Sequence, residues 1–181
     1  TPPHFRPAQL KYAVQQGKHV FAEKPVAVDG PGVRSCLETV AEAKRKGLSV
    51  VNGLCWRYDP GKRETVARIH DGAIGDIVTL RGYRMHGPVA SAFSKAPPEG
   101  SDELLYQINR FHSFIWASGG CFSDFYIHHI DHLCWMKNAW PVKAQALGGR
   151  HYRTDPSGEP WVDQNFDSYA VEYTFEDGTK F

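Results

Sequence analysis

The stretch GKHVFAEKP, residues 17–25, constrains the fold most, because it reads as a short strand set between two helical patterns. Lys18, Val20 and Ala22 alternate with His19, Phe21 and Glu23, the period of a strand. Pro25 has no N–H, so it ends the pairing, and it biases Lys24 toward an extended backbone. Ahead of the strand, Leu10, Ala13 and Val14 form an apolar helical stripe that starts near Pro7 and stops at Gly17. Behind it, Asp29 caps a second helix with Pro31 in its first turn. Val33, Leu37, Val40, Ala41 and Lys44 fall at helical spacing there, and Gly47 ends it. Residues 48–55 are mostly apolar and β-branched, as in a buried strand of a parallel sheet. Helix, strand, helix, strand is the order of the back half of a doubly wound α/β domain. Ligands bind at the carboxyl ends of such strands, so Glu23 and Lys24 stand where an α/β protein does its chemistry. A solvated surface pair is the competing reading.

From about residue 76 the texture changes. A third helix over residues 61–70 stops at Gly72, and a turn covers 73–76. Residues 77–85 alternate as a strand. Residues 86–102, rich in Pro, Gly, Ser and Ala, are expected to be a long functional loop. Residues 104–116 are aromatic and either helical or irregular. Ser118-Gly119-Gly120 launches a helix to about Lys137. Strands follow at 142–147 and 169–175, separated by a loop at 153–165, and Asp177-Gly178 promises a further strand. The expected architecture is thus the back half of a doubly wound α/β domain over residues 1–75, then an α+β domain with a largely antiparallel open sheet over 76–181, expected to be truncated at its C-terminus. The chain starts at Thr1-Pro2-Pro3 without Met and is expected to be a fragment.

Among 181 residues the formal net charge is +1 with no long basic run, which argues against a nucleic acid held by its phosphates. No apolar run reaches the roughly 18–20 residues of a membrane span. Cys36, Cys55, Cys121 and Cys134 are scattered without a C-x-x-C and read as reduced, buried small hydrophobes.

The sharpest chemical feature is Asp124, His128 and His132, each four residues apart on the helix after Gly119-Gly120. At 3.6 residues per turn they share one face of an otherwise apolar helix. Three readings compete. His128 is a general base or acid that Asp124 orients, or the stripe binds a metal, or it is simply the wet face. A third metal ligand at a compelling spacing is absent from the sequence. His129 points off the stripe and reads as a packed histidine. Arg57 and Arg110 suit phosphate or sugar hydroxyls, or surface packing. Tyr106, Phe111, Phe114 and Trp116 suit core packing or sugar stacking. No G-x-G-x-x-G is present.

These pieces together resemble the Gfo/Idh/MocA oxidoreductases. The matching residues are Thr1-Pro2, Gly17-Lys18-His19-Val20, Glu23-Lys24-Pro25, Arg57-Tyr58-Asp59-Pro60 and Gly72-Ala73-Ile74-Gly75. Gly119-Gly120 with Asp124-x-x-x-His128, then Asp131 and Phe175-Glu176-Asp177-Gly178, complete them. The resemblance implies an NAD- or NADP-binding Rossmann domain and a substrate domain that also mediates a homodimer or homotetramer. It implies a catalytic trio of Lys24, Asp124 and His128. On the cofactor side it implies Thr1, Pro2, His4, Glu23, Lys24 and Arg57, with no metal. Arg6 stands where the family commonly has His, and Trp56 and the pair His128-His129 also depart from its commonest pattern.

The implied reaction is hydride transfer between the nicotinamide and a hydroxyl-bearing carbon of a sugar or polyol. A glycosidase that uses tightly held NAD, or a non-catalytic NAD(P)-binding relative, shares the pattern. No nucleic acid or membrane partner is expected, and the expected location is cytoplasmic.

Overall fold

The computed structural model describes residues 1–87 and 89–181; Pro88, within the expected long loop, lies outside the described residues. The elements are α1 (Arg6–Gln15), β1 (Val20–Ala22), α2 (Gly30–Arg45), β2 (Val50–Asn52), α3 (Pro60–His70), α4 (Glu103–Asn109), α5 (Ile115–Ser118), α6 (Ile127–Lys137), β3 (Lys143–Gly149) and β4 (Ser168–Thr174). They form two compact units that interleave along the chain. One comprises Thr1–Gly53, Gly87–Phe125 and Tyr152–Asn165; the other comprises Leu54–His86, Tyr126–His151 and Phe166–Phe181.

In the first unit β1 and β2 pair in parallel, Val20 opposite Val50 and Ala22 opposite Asn52. Val20 and Val50 pack on a core of Leu10 and Val14 from α1, Cys36 and Ala43 from α2, and Ala27. The Asp29 side chain caps α2 by accepting from the Gly32 N–H at 2.7 Å, which satisfies one orphan donor of the first turn. β2 departs from the expected fully buried strand. Val51 is 37% exposed and its partner Phe21 64%, because both helices pack on the Val20 and Val50 side and leave the other face uncovered. Residues 104–116 break into α4, a 3₁₀ turn at Phe111–Ser113 and the start of α5.

In the second unit α3 is capped by Asp59, which accepts from the Lys62 N–H at 2.8 Å. The Arg57 guanidinium forks onto Asp131 of α6 at 2.8–3.2 Å and lies over Trp135. β3 and β4 pair antiparallel from Lys143 opposite Thr174 to Gly149 opposite Ser168. Tyr169, Val171 and Tyr173 share the half-covered face of β4. After the Asp177-Gly178 turn the chain folds back on β4, and Phe181 and Tyr173 exchange backbone hydrogen bonds at 2.7 and 3.0 Å. The expected strand over residues 77–85 does not form. Among the described residues its backbone meets a ladder partner only at Lys180, and Val78, Tyr83 and Met85 stay exposed. The expected burial of the four cysteines holds for Cys36 and Cys134 only: Cys121 is half-buried, and Cys55 sits exposed in the 3₁₀ turn Cys55–Tyr58 that follows β2. No helix among the described residues is long and apolar enough to cross a membrane.

Candidate functional site

Lys24 follows β1 and its peptide bond to Pro25 is cis. Its ammonium donates to the main-chain oxygen of Asp124 at 2.5 Å and to Oδ1 of the same residue at 3.0 Å. An ammonium has three donors, so two grip one residue and the third makes no hydrogen bond among the described residues, with the Phe125 ring 5.6 Å away. The Lys24 side chain is 19% exposed and that of Asp124 6%, so the pair is nearly dry. Burial pushes the Asp124 carboxyl pKa up, but the His112 hydrogen bond and the Lys24 charge more than offset this and hold it below the usual carboxylate range. His112 Nε2 lies 3.2 Å from Asp124 Oδ2. Sequence reasoning missed His112. Its spacing from Asp124 marks no helical face, and the contact depends on how the 3₁₀ turn lays the ring.

Two glycines let the chain enter this site. Gly119 and Gly120 have φ of 76° and 81°, the region where a Cβ is costly. A Cβ on Gly119 would also stand 3.2 Å from the Val28 backbone, and one on Gly120 would stand 3.2 Å from Asn165 Oδ1. The helix that follows is not α-helical throughout, although the sequence pattern predicts an uninterrupted α-helix. Gly120 and Cys121 open it in α-helical form, Phe122–Tyr126 is a π-helical turn, and the α-helix resumes at Ile127. Asp124 meets Lys24 and His112, whereas His128 stacks on Trp56, with ring centroids 5.6 Å apart.

His129 and His132 also meet Trp56 edge-on, at 4.9 and 5.5 Å. The stripe is therefore not a wet face: Asp124 is 4% exposed and the three histidines are half-buried. Burial lowers the pKa of His129 and of His132, helped by Arg84 and Lys62 respectively. Among the described residues no group of three or more His, Cys, Asp or Glu is arranged to hold a metal ion.

Of the residues expected to meet a cofactor, Glu23 is exposed at the carboxyl end of β1, with its carboxylate against Gly53 just past β2. A Cβ at Gly53 would fall 2.6 Å from Glu23 Oε2, so the carboxylate sits directly over this glycine. A carboxylate between the ends of two parallel strands, with an ammonium next to it in sequence, offers an acceptor and a donor where ligands of such sheets bind. His4 packs edge-on against Trp116 at 5.2 Å. Thr1 and Pro2 precede it, and Arg6 donates to the carbonyls of both Thr1 and Pro25, which ties the amino-terminal turn to the Lys24–Pro25 peptide. Arg57 is engaged with Asp131.

No family model matches the chain. An inositol 2-dehydrogenase of Rhizobium meliloti (strain 1021) is 28% identical over 146 residues, 81% of this chain and 37% of that protein. The structure of myo-inositol 2-dehydrogenase from Lactobacillus plantarum superposes with a TM-score of 0.71 at 25% identity, covering 99% of this chain and 47% of that one. That of scyllo-inositol dehydrogenase from Lactobacillus casei, with bound cofactor NAD(H) and scyllo-inositol, gives 0.67 at 27% identity, with 99% and 47% covered. The chain thus spans less than half the length of these relatives.

Proposed function

From the premise that this chain belongs to the Gfo/Idh/MocA family, we propose that the whole protein is an NAD(P)-dependent dehydrogenase of a polyol, with an inositol-like ring as the favoured substrate class. The single observation that carries the reading is the nearly dry Lys24–Asp124 pair at the end of a parallel strand. The likeness to an NAD(H)-bound inositol dehydrogenase supports NAD as the cofactor. When bound, the nicotinamide supplies the hydride acceptor.

The chain's own residues do the rest. Lys24 turns its third N–H to the substrate hydroxyl and favours the oxygen as it gains negative charge. Asp124, held ionised, fixes the ammonium in place. His128 takes the hydroxyl proton on its ring, a role assigned to it through the family pattern Asp124-x-x-x-His128. Glu23 binds the ribose, and Thr1, Pro2, His4 and Arg57 are the further cofactor contacts that the family pattern assigns. Residues 1–75 belong on this reading to a cofactor domain and residues 76–181 to a substrate domain. Limited proteolysis of the whole protein that cuts first near residue 75 checks this division. The exposed side chains of Trp140, Val142 and Leu147 at β3 support self-association through that sheet. We infer a cytoplasmic location because free nicotinamide cofactor is kept there.

The test is NADH formation by the whole protein with myo-inositol, scyllo-inositol and open-chain polyols. Steady NADH formation with a cyclic polyol supports the reading. Release of free sugar from a glycoside without net NADH marks a glycosidase instead, and cofactor binding without turnover marks a non-catalytic relative.

A further inference from the structure

The Asp124 carboxylate is gripped from two sides, and only the Lys24 side is used by the reaction above. On the other side the His112 ring lies flat against Phe125, with centroids 5.6 Å apart and planes at 15°, and presents Nε2 to Oδ2. Behind the ring, Ser91 brings its Oγ to 2.8 Å and its N–H to 3.5 Å from Nδ1. Two donors converge on Nδ1, so the tautomer this network assigns carries its hydrogen on Nε2 and donates it to Asp124.

The loop carrying Ser91 is bent to do this. Ala90 and Phe93 have φ of 53° and 61°, costly for residues with a Cβ. Buried polar groups hold the bend. The Phe93 N–H donates to Asp163 at 2.8 Å, the Ser113 hydroxyl donates to the Ser91 carbonyl at 2.5 Å, and Asn165 donates to the His112 carbonyl at 2.6 Å. Asp163, Asn165 and Ser113 are at most 2% exposed. Local strain is thus retained to bring a hydroxyl to one imidazole nitrogen.

We propose that His112, held by Ser91, is a positioning residue that fixes the rotation of the Asp124 carboxylate so that Oδ1 aims Lys24 at the substrate oxygen. The inference rests on the dehydrogenase reading and deepens it. The terminal torsion of an aspartate is soft, and partners on both oxygens remove that freedom. The charged or titratable groups that face this carboxylate are Lys24 after β1, His112 in the 3₁₀ turn and, at longer range, Arg6 in α1.

The test compares His112→Phe with His112→Gln in the whole protein. The glutamine amide keeps a donor near the Nε2 position, and phenylalanine keeps only the shape. The Asp124 carboxyl titration is read by carbon NMR, assigned by its loss in Asp124→Asn, alongside kcat and KM. In His112→Phe the carboxyl is expected to titrate at higher pH than in the wild type. There kcat should fall about 10- to 100-fold, as small misplacements at a reacting centre do, with cofactor affinity kept. His112→Gln should restore most of both. An unmoved titration in His112→Phe, or equal loss in the two variants, overturns the proposal. A wild-type protein inactive on every polyol refutes the dehydrogenase reading, and the titration then still decides whether His112 holds Asp124.

Discussion

Asp124 carries a charge at 4% exposure, which is tolerable only because donors meet both of its oxygens. Asp124→Ala would leave the partly buried Lys24 ammonium with no counter-charge, and the expected cost is about 3 kcal/mol in denaturant unfolding, the low end for a broken buried pair because Lys24 keeps some solvent. The folded pKa of this carboxyl is depressed, so its stabilisation is complete above the ordinary carboxylate pKa and fades as pH falls through the folded value. Cysteine chemistry offers a second check. Burial pushes the Cys134 thiol up to about 11, whereas Cys55 is exposed. A thiol reagent at neutral pH is expected to modify Cys55 first and Cys134 only after denaturation. Lys24 and Asp124 were legible as candidates because each sits at a marked place, a strand end and a glycine-launched helix. His112 was not, because its partners Ser91 and Asn165 arrive from irregular loops whose course no periodicity encodes.

The helix after Gly119-Gly120 was legible as an element, but its π turn was not, because one turn of wider winding leaves the apolar pattern almost unchanged. Its entry is sensitive to backbone shape. Gly120→Ala puts a Cβ at φ 81° and 3.2 Å from Asn165 Oδ1, and the expected loss is about 1–2 kcal/mol in thermal or denaturant unfolding. Further along, His129 and His132 have pKa values lowered chiefly by burial. The unfolded rings take up protons that the folded rings refuse, so the stability these histidines support is whole above about pH 6.5 and declines as pH falls below it. Thermal midpoints measured at falling pH should drop, and replacing both histidines with Phe should shrink the drop. Asp124 adds nothing in that window, because its carboxyl titrates lower. The failed strand at residues 77–85 shows the limit of alternation as a guide. Alternation specifies which face a strand would bury, but a strand also needs a neighbour, and this stretch meets one only at Lys180.

At the scale of the molecule, the parallel pair with its two helices was legible because caps, glycine stops and apolar spacing agreed with one another. The open face at Phe21 and Val51 was not, because a β-branched strand reads the same whether one face or both are covered. The core of Leu10, Val14, Cys36 and Ala43 holds this unit together, and Leu10→Ala is expected to cost about 2–5 kcal/mol. In the proposed reaction Lys24 is the group that stabilises the reacting oxygen. The direct test is the rate of NADH formation from an inositol by the whole protein and by its Lys24→Met variant, with NAD binding measured alongside. Turnover lower by about 100-fold or more with NAD still bound is the expected result, the size that loss of one electrostatic donor to the reacting oxygen produces. Turnover within about twofold of wild type, well short of that loss, would contradict it.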